Sequence, residues 1–201
     1  MLTVLLATRN PGKVEEIRSI LSDVPVEIRA LSDMPDSAEV VEDGATLEEN
    51  ALKKAREAYD RFQLLSLADD SGLEVYALGM KPGVRSARFA GEKATYDDNN
   101  RKLLEALSSV PPAQRGARFR CVAALVGKGI MRTAEGVCTG RIAEQASGKG
   151  GFGYDPIFIP DGFDRTFAEL PPDIKNRISH RARAFNVVKE ILREYANNLS
   201  H

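Results

Sequence analysis

The chain has 201 residues, with Lys+Arg 28 against Asp+Glu 29 and a formal charge of −1. This excludes a protein whose main task is to coat nucleic acid, because that work needs a strong cationic excess. The length suits one domain, or two lobes sharing a core, and allows about 70% of the unfolded surface to be buried. No segment approaches the roughly 18 consecutive apolar residues of a membrane span. Cys121 and Cys138 form neither a CxxC pair nor a disulfide framework. A soluble cytoplasmic protein with reduced, packed cysteines and neither membrane nor nucleic-acid partner is expected.

Leu2 to Ala7 is a compact apolar run that predicts a strand. It passes directly into Thr8-Arg9-Asn10-Pro11-Gly12-Lys13 and then into a helix patterned by Val14, Ile17 and Ile20/Leu21. Asn10 can cap that helix and Pro11 suits its first turn. A loop with Asp33, Asp36 and Glu39 leads through Val40-Val41 to Glu42-Asp43-Gly44. Thr46-Leu47-Glu48-Glu49 then reads as a capping box before a long helix with a buried stripe of Leu47, Ala51, Ala55, Ala58 and Phe62. Lys54 borders that stripe, so it could reach inward.

The apolar run Leu64 to Ala68 ends in Asp69-Asp70-Ser71-Gly72, which reads as acidic side chains at the exit of a strand, followed by a turn. Leu73 to Leu78 continues the chain, Gly79 to Gly91 reads as irregular, and a helix is expected from about Asp97 to Leu107. After the Pro111-Pro112 break, Ala117 to Val126 and Ile130 to Arg141 flank Gly127-Lys128-Gly129 as an antiparallel hairpin, so the sheet is expected to be mixed. A glycine-rich loop, Gly148 to Gly153, precedes a final helix on Ala182, Phe185, Val188, Ile191/Leu192 and Tyr195.

Four constellations could carry chemistry. The loop Thr8 to Lys13 gathers a hydroxyl, an amide, backbone donors and a lysine where a strand ends, the setting of an anion socket. Its spacing is not that of a Walker loop. Glu42, Asp69 and Asp70 are hard-oxygen groups, and two neighbouring carboxylates repel unless they share a cation or a proton, which suits magnesium. Gly148 to Gly153 satisfies G-x-G-x-x-G, yet Pro156 and Pro160 follow where a dinucleotide site needs a helix, so that reading fails. Phe152 and Tyr154 instead offer aromatic faces for a flat ring. The run Lys175 to Arg183 reads as crowding cations onto the first turn of the final helix, against its dipole, which calls for an anionic or electron-rich neighbour.

Taken together and in order, Thr8 to Lys13, Glu49-Asn50-Ala51, Ala68 to Leu73, Pro82 to Arg88, Gly150 to Pro156 and Ser179-His180-Arg181 closely resemble the inosine triphosphate pyrophosphatase family. The resemblance implies an α/β fold with a curved mixed β-sheet flanked by helices, two lobes of a single domain around a central active-site cleft, and a homodimer. It implies hydrolysis of the non-standard purine nucleoside triphosphates XTP, dITP and ITP to the monophosphate and pyrophosphate, with Mg2+. By the same carry-over, Thr8, Arg9, Asn10, Pro11, Gly12 and Lys13 hold the triphosphate, Lys54 contacts phosphate, and Glu42 and Asp70 bind magnesium with Asp69 in support. Asp70 matches the proton acceptor. Ser71, Phe152, Gly153, Tyr154, Asp155, Lys175, His180 and Arg181 hold the nucleotide and its base. The rivals are a nucleotide-sensing module without turnover and a Maf-type pyrophosphatase acting on pyrimidine or modified nucleotides.

Overall fold

The computed structural model describes residues 2–35 and 40–198; Asp36 and Glu39 of the loop before Glu42 lie outside the described residues. Strands β1 (Leu2–Leu6), β2 (Val26–Ala30), β3 (Leu65–Val75), β4 (Lys81–Gly83), β5 (Gly116–Gly127), β6 (Ile130–Ile142) and β7 (Phe158–Pro160) form one sheet in the order β2-β1-β3-β5-β6-β7, with β4 on β3. β1 runs parallel to both β2 and β3, whereas β4 on β3 and β7 on β6 are antiparallel. The expected mixed sheet of an α/β fold is present. Flanked by strands on both edges and covered on both faces, β1 buries Val4, Leu5 and Leu6 completely, which explains its unbroken apolar sequence.

The helices are α1 (Pro11–Ile20), α2 (Leu47–Phe62), α3 (Tyr96–Ala106), α4 (Pro172–Ile178) and α5 (His180–Asn198). By its contacts the chain divides into two compact units, the first made of Met1–Asp70, Cys121–Gly136 and Arg181–His201, the second of Ser71–Arg120 and Val137–His180. In the first unit, Ile17 and Ile20 of α1 and the α5 stripe Ala182, Phe185, Val188 and Leu192 pack with Val4, Leu6, Leu67, Cys121 and Leu125. Burying a side chain the size of Phe185 stabilises the unit by roughly 1.5–3 kcal/mol. The second unit has its own core, in which Leu103 of α3 and Leu107, just past its end, meet Leu73, Val75, Phe119, Tyr154, Phe158 and Phe167. Both cysteines are buried thiols outside any disulfide.

Three expectations are corrected. Asp69, Asp70, Ser71 and Gly72 do not form a turn at a strand's exit; they lie inside β3, which runs on to Val75. Gly72 serves close strand approach, since a Cβ there would stand 2.4 Å from the carbonyl oxygen of Gly83 on β4. Lys175 and Arg177 belong to the last turn of α4, where the helix dipole favours cations, so only His180, Arg181 and Arg183 open the final helix. Strand β2 and the short strand β4 were unforeseen, the first because Val26–Ala30 alternates weakly, the second because Pro and Gly occupy two of its three positions. Among the described residues, no helix is long and apolar enough to cross a membrane.

Candidate active site

The acidic doublet sits just beyond the last residues of β3 that pair with β1, and the loop after β1 begins at the same level, with the Ala7 amide donating to the Leu67 carbonyl at 2.8 Å. Side chains from α1, α2 and α5 meet there because each helix turns a polar residue inward from an otherwise apolar face. On α2, Asn50 and Lys54 are both buried, one turn apart beside Ala51 and Ala55. Asn10 caps α1 through Oδ1, which accepts from the Gly12 amide at 3.0 Å and the Lys13 amide at 3.3 Å, and the Thr8 hydroxyl accepts from the Asn10 amide at 3.2 Å. The loop therefore satisfies several of its own donors; Arg9 is its exposed cation, and Lys13 turns in toward Asp69.

The two adjacent carboxylates have opposite surroundings. Asp69 Oδ2 accepts from Arg181 Nη2 at 3.0 Å and Nε at 3.3 Å, and Lys13 Nζ stands 3.2 Å away. Full burial pushes the Asp69 carboxyl up, but Lys13, Arg181 and Lys54 together outweigh it and hold the group far below the usual carboxylate range. Asp70 Oδ2 accepts from Asn50 Nδ2 at 3.0 Å, and Lys54 Nζ lies 3.5 Å from its Oδ1. Burial raises the Asp70 carboxyl, Lys54 opposes the rise and Glu42 adds to it, leaving the group above its ordinary value.

Lys54 Nζ also donates to Glu42 Oε1 and to the Asp69 carbonyl, both at 2.6 Å. Burial alone would lower the Lys54 ammonium, but Asp70 and Glu42 keep it raised and charged. One cation thus bridges Glu42 and Asp70, so their oxygens form a donor set that two hard carboxylates can offer to magnesium, an ion that keeps waters and phosphate oxygens in most of its shell. Among the described residues no three His, Cys, Asp or Glu side chains converge as a complete metal cage. Asp69, committed to Arg181 and Lys13, borders this pair from behind.

In the second unit, the glycine-rich loop is shaped around Asp155. Its Oδ2 accepts from the Phe152 amide at 2.8 Å and from Lys175 Nζ. Gly151 has φ +70°, and a Cβ there would come within 2.0 Å of that same oxygen, so glycine is required. Lys175 Nζ lies over the Phe152 ring, 4.8 Å from its centroid. Tyr154 is buried, with its hydroxyl donating to the Ser86 carbonyl at 2.8 Å, which makes it a strut of the core instead of an exposed stacking face. His180 is also buried, its ring stacked on Phe119 at 4.5 Å.

The structure thus brings Lys13, Lys54, Glu42, Asp69, Asp70 and Arg181 together in the first unit, and Phe152, Gly153, Asp155 and Lys175 in the second. Ser71 follows the doublet on β3 with its side chain partly exposed. Two residues enter the first group without having been assigned a role: Asn50, which holds Asp70, and Glu16, whose Oε2 accepts from Arg181 Nη1 at 2.6 Å. Asn50 left a signal, a polar residue on an apolar stripe. Glu16 left only its place one turn after Lys13 on α1.

The Ham1 family profile matches residues 4–191. A dITP/XTP pyrophosphatase from Geobacter sulfurreducens is 50% identical over 193 residues, covering 96% of this chain and 97% of that protein. Another dITP/XTP pyrophosphatase, from Desulforamulus reducens, is 48% identical over 94% of each chain. The solved structure of a HAM1 protein from Coxiella burnetii superposes with a TM-score of 0.85 at 41% identity, covering 96% of this chain and 100% of that one. The match over residues 4–191, with relatives 48% and 50% identical over almost the whole chain, places the chain in the Ham1 family.

Proposed function

We propose that the protein hydrolyses the non-standard purine nucleoside triphosphates XTP, dITP and ITP to the monophosphate and pyrophosphate, removing them from the nucleotide pool. The observation that carries this reading is the divergence of Asp69 and Asp70. Asp69 is bound by Arg181 and Lys13, whereas Asp70 meets Asn50 and Lys54, a division between a fixed charge and a proton acceptor. Asp69 stays ionised and holds Lys13 and Arg181 in place. Asp70, buried, held by Asn50 and bordered by Lys54, is assigned as the proton acceptor.

In the proposed reaction a water oxygen attacks the α-phosphorus, the bond from that phosphorus to the bridging oxygen of the β-phosphate breaks, and pyrophosphate leaves. The water's proton passes to Asp70 Oδ1 or Oδ2. Lys13 and Lys54 offset the charge that develops on the phosphate oxygens. Magnesium, held by Glu42 and Asp70 with Asp69 behind them, would supply further neutralisation of those oxygens. Thr8, Arg9, Asn10 and Gly12 would line the polyphosphate path beside Lys13.

Phe152 offers a ring for the base, and Lys175, fixed by Asp155 over that ring, is the cationic donor near it. A 6-keto purine presents an acceptor there, where adenine presents an amino donor that would leave Lys175 opposed. Arg181 is assigned to Asp69 and Glu16 in this scheme, so base selection rests on Lys175, Asp155 and backbone groups of the loop. A panel of ITP, XTP, dITP, ATP and GTP with pyrophosphate detection tests the reading. Release from the first three, with ATP at least about 100-fold poorer, is expected; guanine carries the same 6-keto oxygen, so rejection of GTP needs a separate contact near C2. Binding without release would favour a nucleotide sensor, and equal turnover of ATP would contradict the selection scheme.

A further inference from the structure

The loop carrying Phe152 is built from residues that resist ordering. Gly148, Gly151 and Gly153 all have φ between +63° and +86°, and at Gly153 no atom stands within 4 Å of where a Cβ would lie. Glycine backbones of this kind lose the most entropy on folding. No neighbour stands where a side chain at Gly153 would pack, and hydrogen bonds flank the position on both sides. On one side Asp155 accepts from the Phe152 amide. On the other, Asn100 Nδ2 donates to the Gly153 carbonyl at 3.0 Å.

Asn100 is 5% exposed, and its Oδ1 has no hydrogen-bond partner among the described residues. An apolar residue would avoid that unpaired oxygen, so the bond from Nδ2 is what the position supplies. The helix that carries it is fixed along its length. Thr95 and Asp98 close a capping box at the start of α3. Asn99 accepts from the Ala90 amide at 2.7 Å and donates to the Ala87 carbonyl at 3.0 Å. Beyond the other end, Arg115 donates to the carbonyls of Leu107 and Val110, each at 2.9 Å. Tyr96, in the first turn, sets its ring 6.3 Å from that of Phe152.

We infer that Asn100 is a positioning residue: through the Gly153 carbonyl it fixes the Phe152 ring and so governs capture of the purine base, leaving phosphate cleavage to Asp70 and the lysines. This rests on the reading of Phe152 as the base platform given above. Replacing Asn100 by Ala or by Asp removes the donor, the second with little change in size. Either change should raise KM for ITP about tenfold with kcat altered less than about threefold.

Because Asn100 acts through Phe152, adding Asn100→Ala to Phe152→Ala should change KM less than about twofold, a non-additive cycle. Independently of activity, both single variants should be cut faster by trypsin after the exposed Lys149 within this loop, while thermal unfolding confirms that they fold. Should Asn100→Ala not fold, Asn100→Asp and Asn100→Ser carry the same comparison. An unchanged KM, additive effects in the double variant, or unaltered cleavage after Lys149 overturns the inference. If the wild-type protein does not cleave ITP, the functional reading fails, and the trypsin rates still decide whether Asn100 holds the loop.

Discussion

The two units handle buried charge in different ways. In the first, Asp69 is neutralised by residues far away in sequence, Lys13 at a separation of 56 residues and Arg181 at 112. In the second, Asp155 holds the Phe152 amide three residues away and Lys175 twenty residues away, and a glycine at 151 makes room for its oxygen. The first site is therefore a product of tertiary packing, in which each charge depends on the others. The second is chiefly a backbone conformation, stiffened by a few side chains.

The largest expected effect breaks the first arrangement. Asp69→Ala leaves Arg181 and Lys13 without their shared carboxylate, and an uncompensated charge at that depth costs about 3–5 kcal/mol. Urea unfolding followed by circular dichroism measures it. A loss under about 1 kcal/mol would mean that Glu16 alone satisfies Arg181 and that the network is less interdependent than its geometry implies.

A smaller effect sharpens the contrast from the second unit. Asp98 is half-buried at the start of α3, and hydrogen bonds from the Thr95 hydroxyl and amide, with Arg101 nearby, lower its carboxyl from 3.8 to about 2. A carboxyl lowered in the folded state adds stability that is full above its unfolded value and disappears as pH falls through the folded one. The advantage of the wild-type protein over Asp98→Asn should thus be constant above pH 3.8 and should close as pH approaches 2. A gap that persists undiminished at the lower limit would show that the cap works without its charge.

The sequence was most readable where a single element decides the outcome. The α2 and α5 stripes, the hairpin at Gly127-Lys128-Gly129 and the Asn10 cap all follow from local patterns. Asp69 and Asp70 were legible as an important pair, but their placement inside a strand was not, because Gly72 looks like a turn residue until the Gly83 carbonyl is seen against it. Their opposite environments were also illegible, since these depend on Arg181 and Asn50 arriving from other elements. Glu42 and Lys54 were named separately, and only the fold pairs them. The break between α4 and α5 at Ser179 was hidden by a basic run that continues through it.

The central claim is that Asp70 takes the proton of the attacking water while Asp69 serves as fixed charge. Pyrophosphate release from ITP by Asp70→Asn, a change of one atom at a position already bonded to Asn50, tests this most directly. A fall of at least about 100-fold with unchanged circular dichroism is predicted; turnover within a few fold of wild type would contradict it.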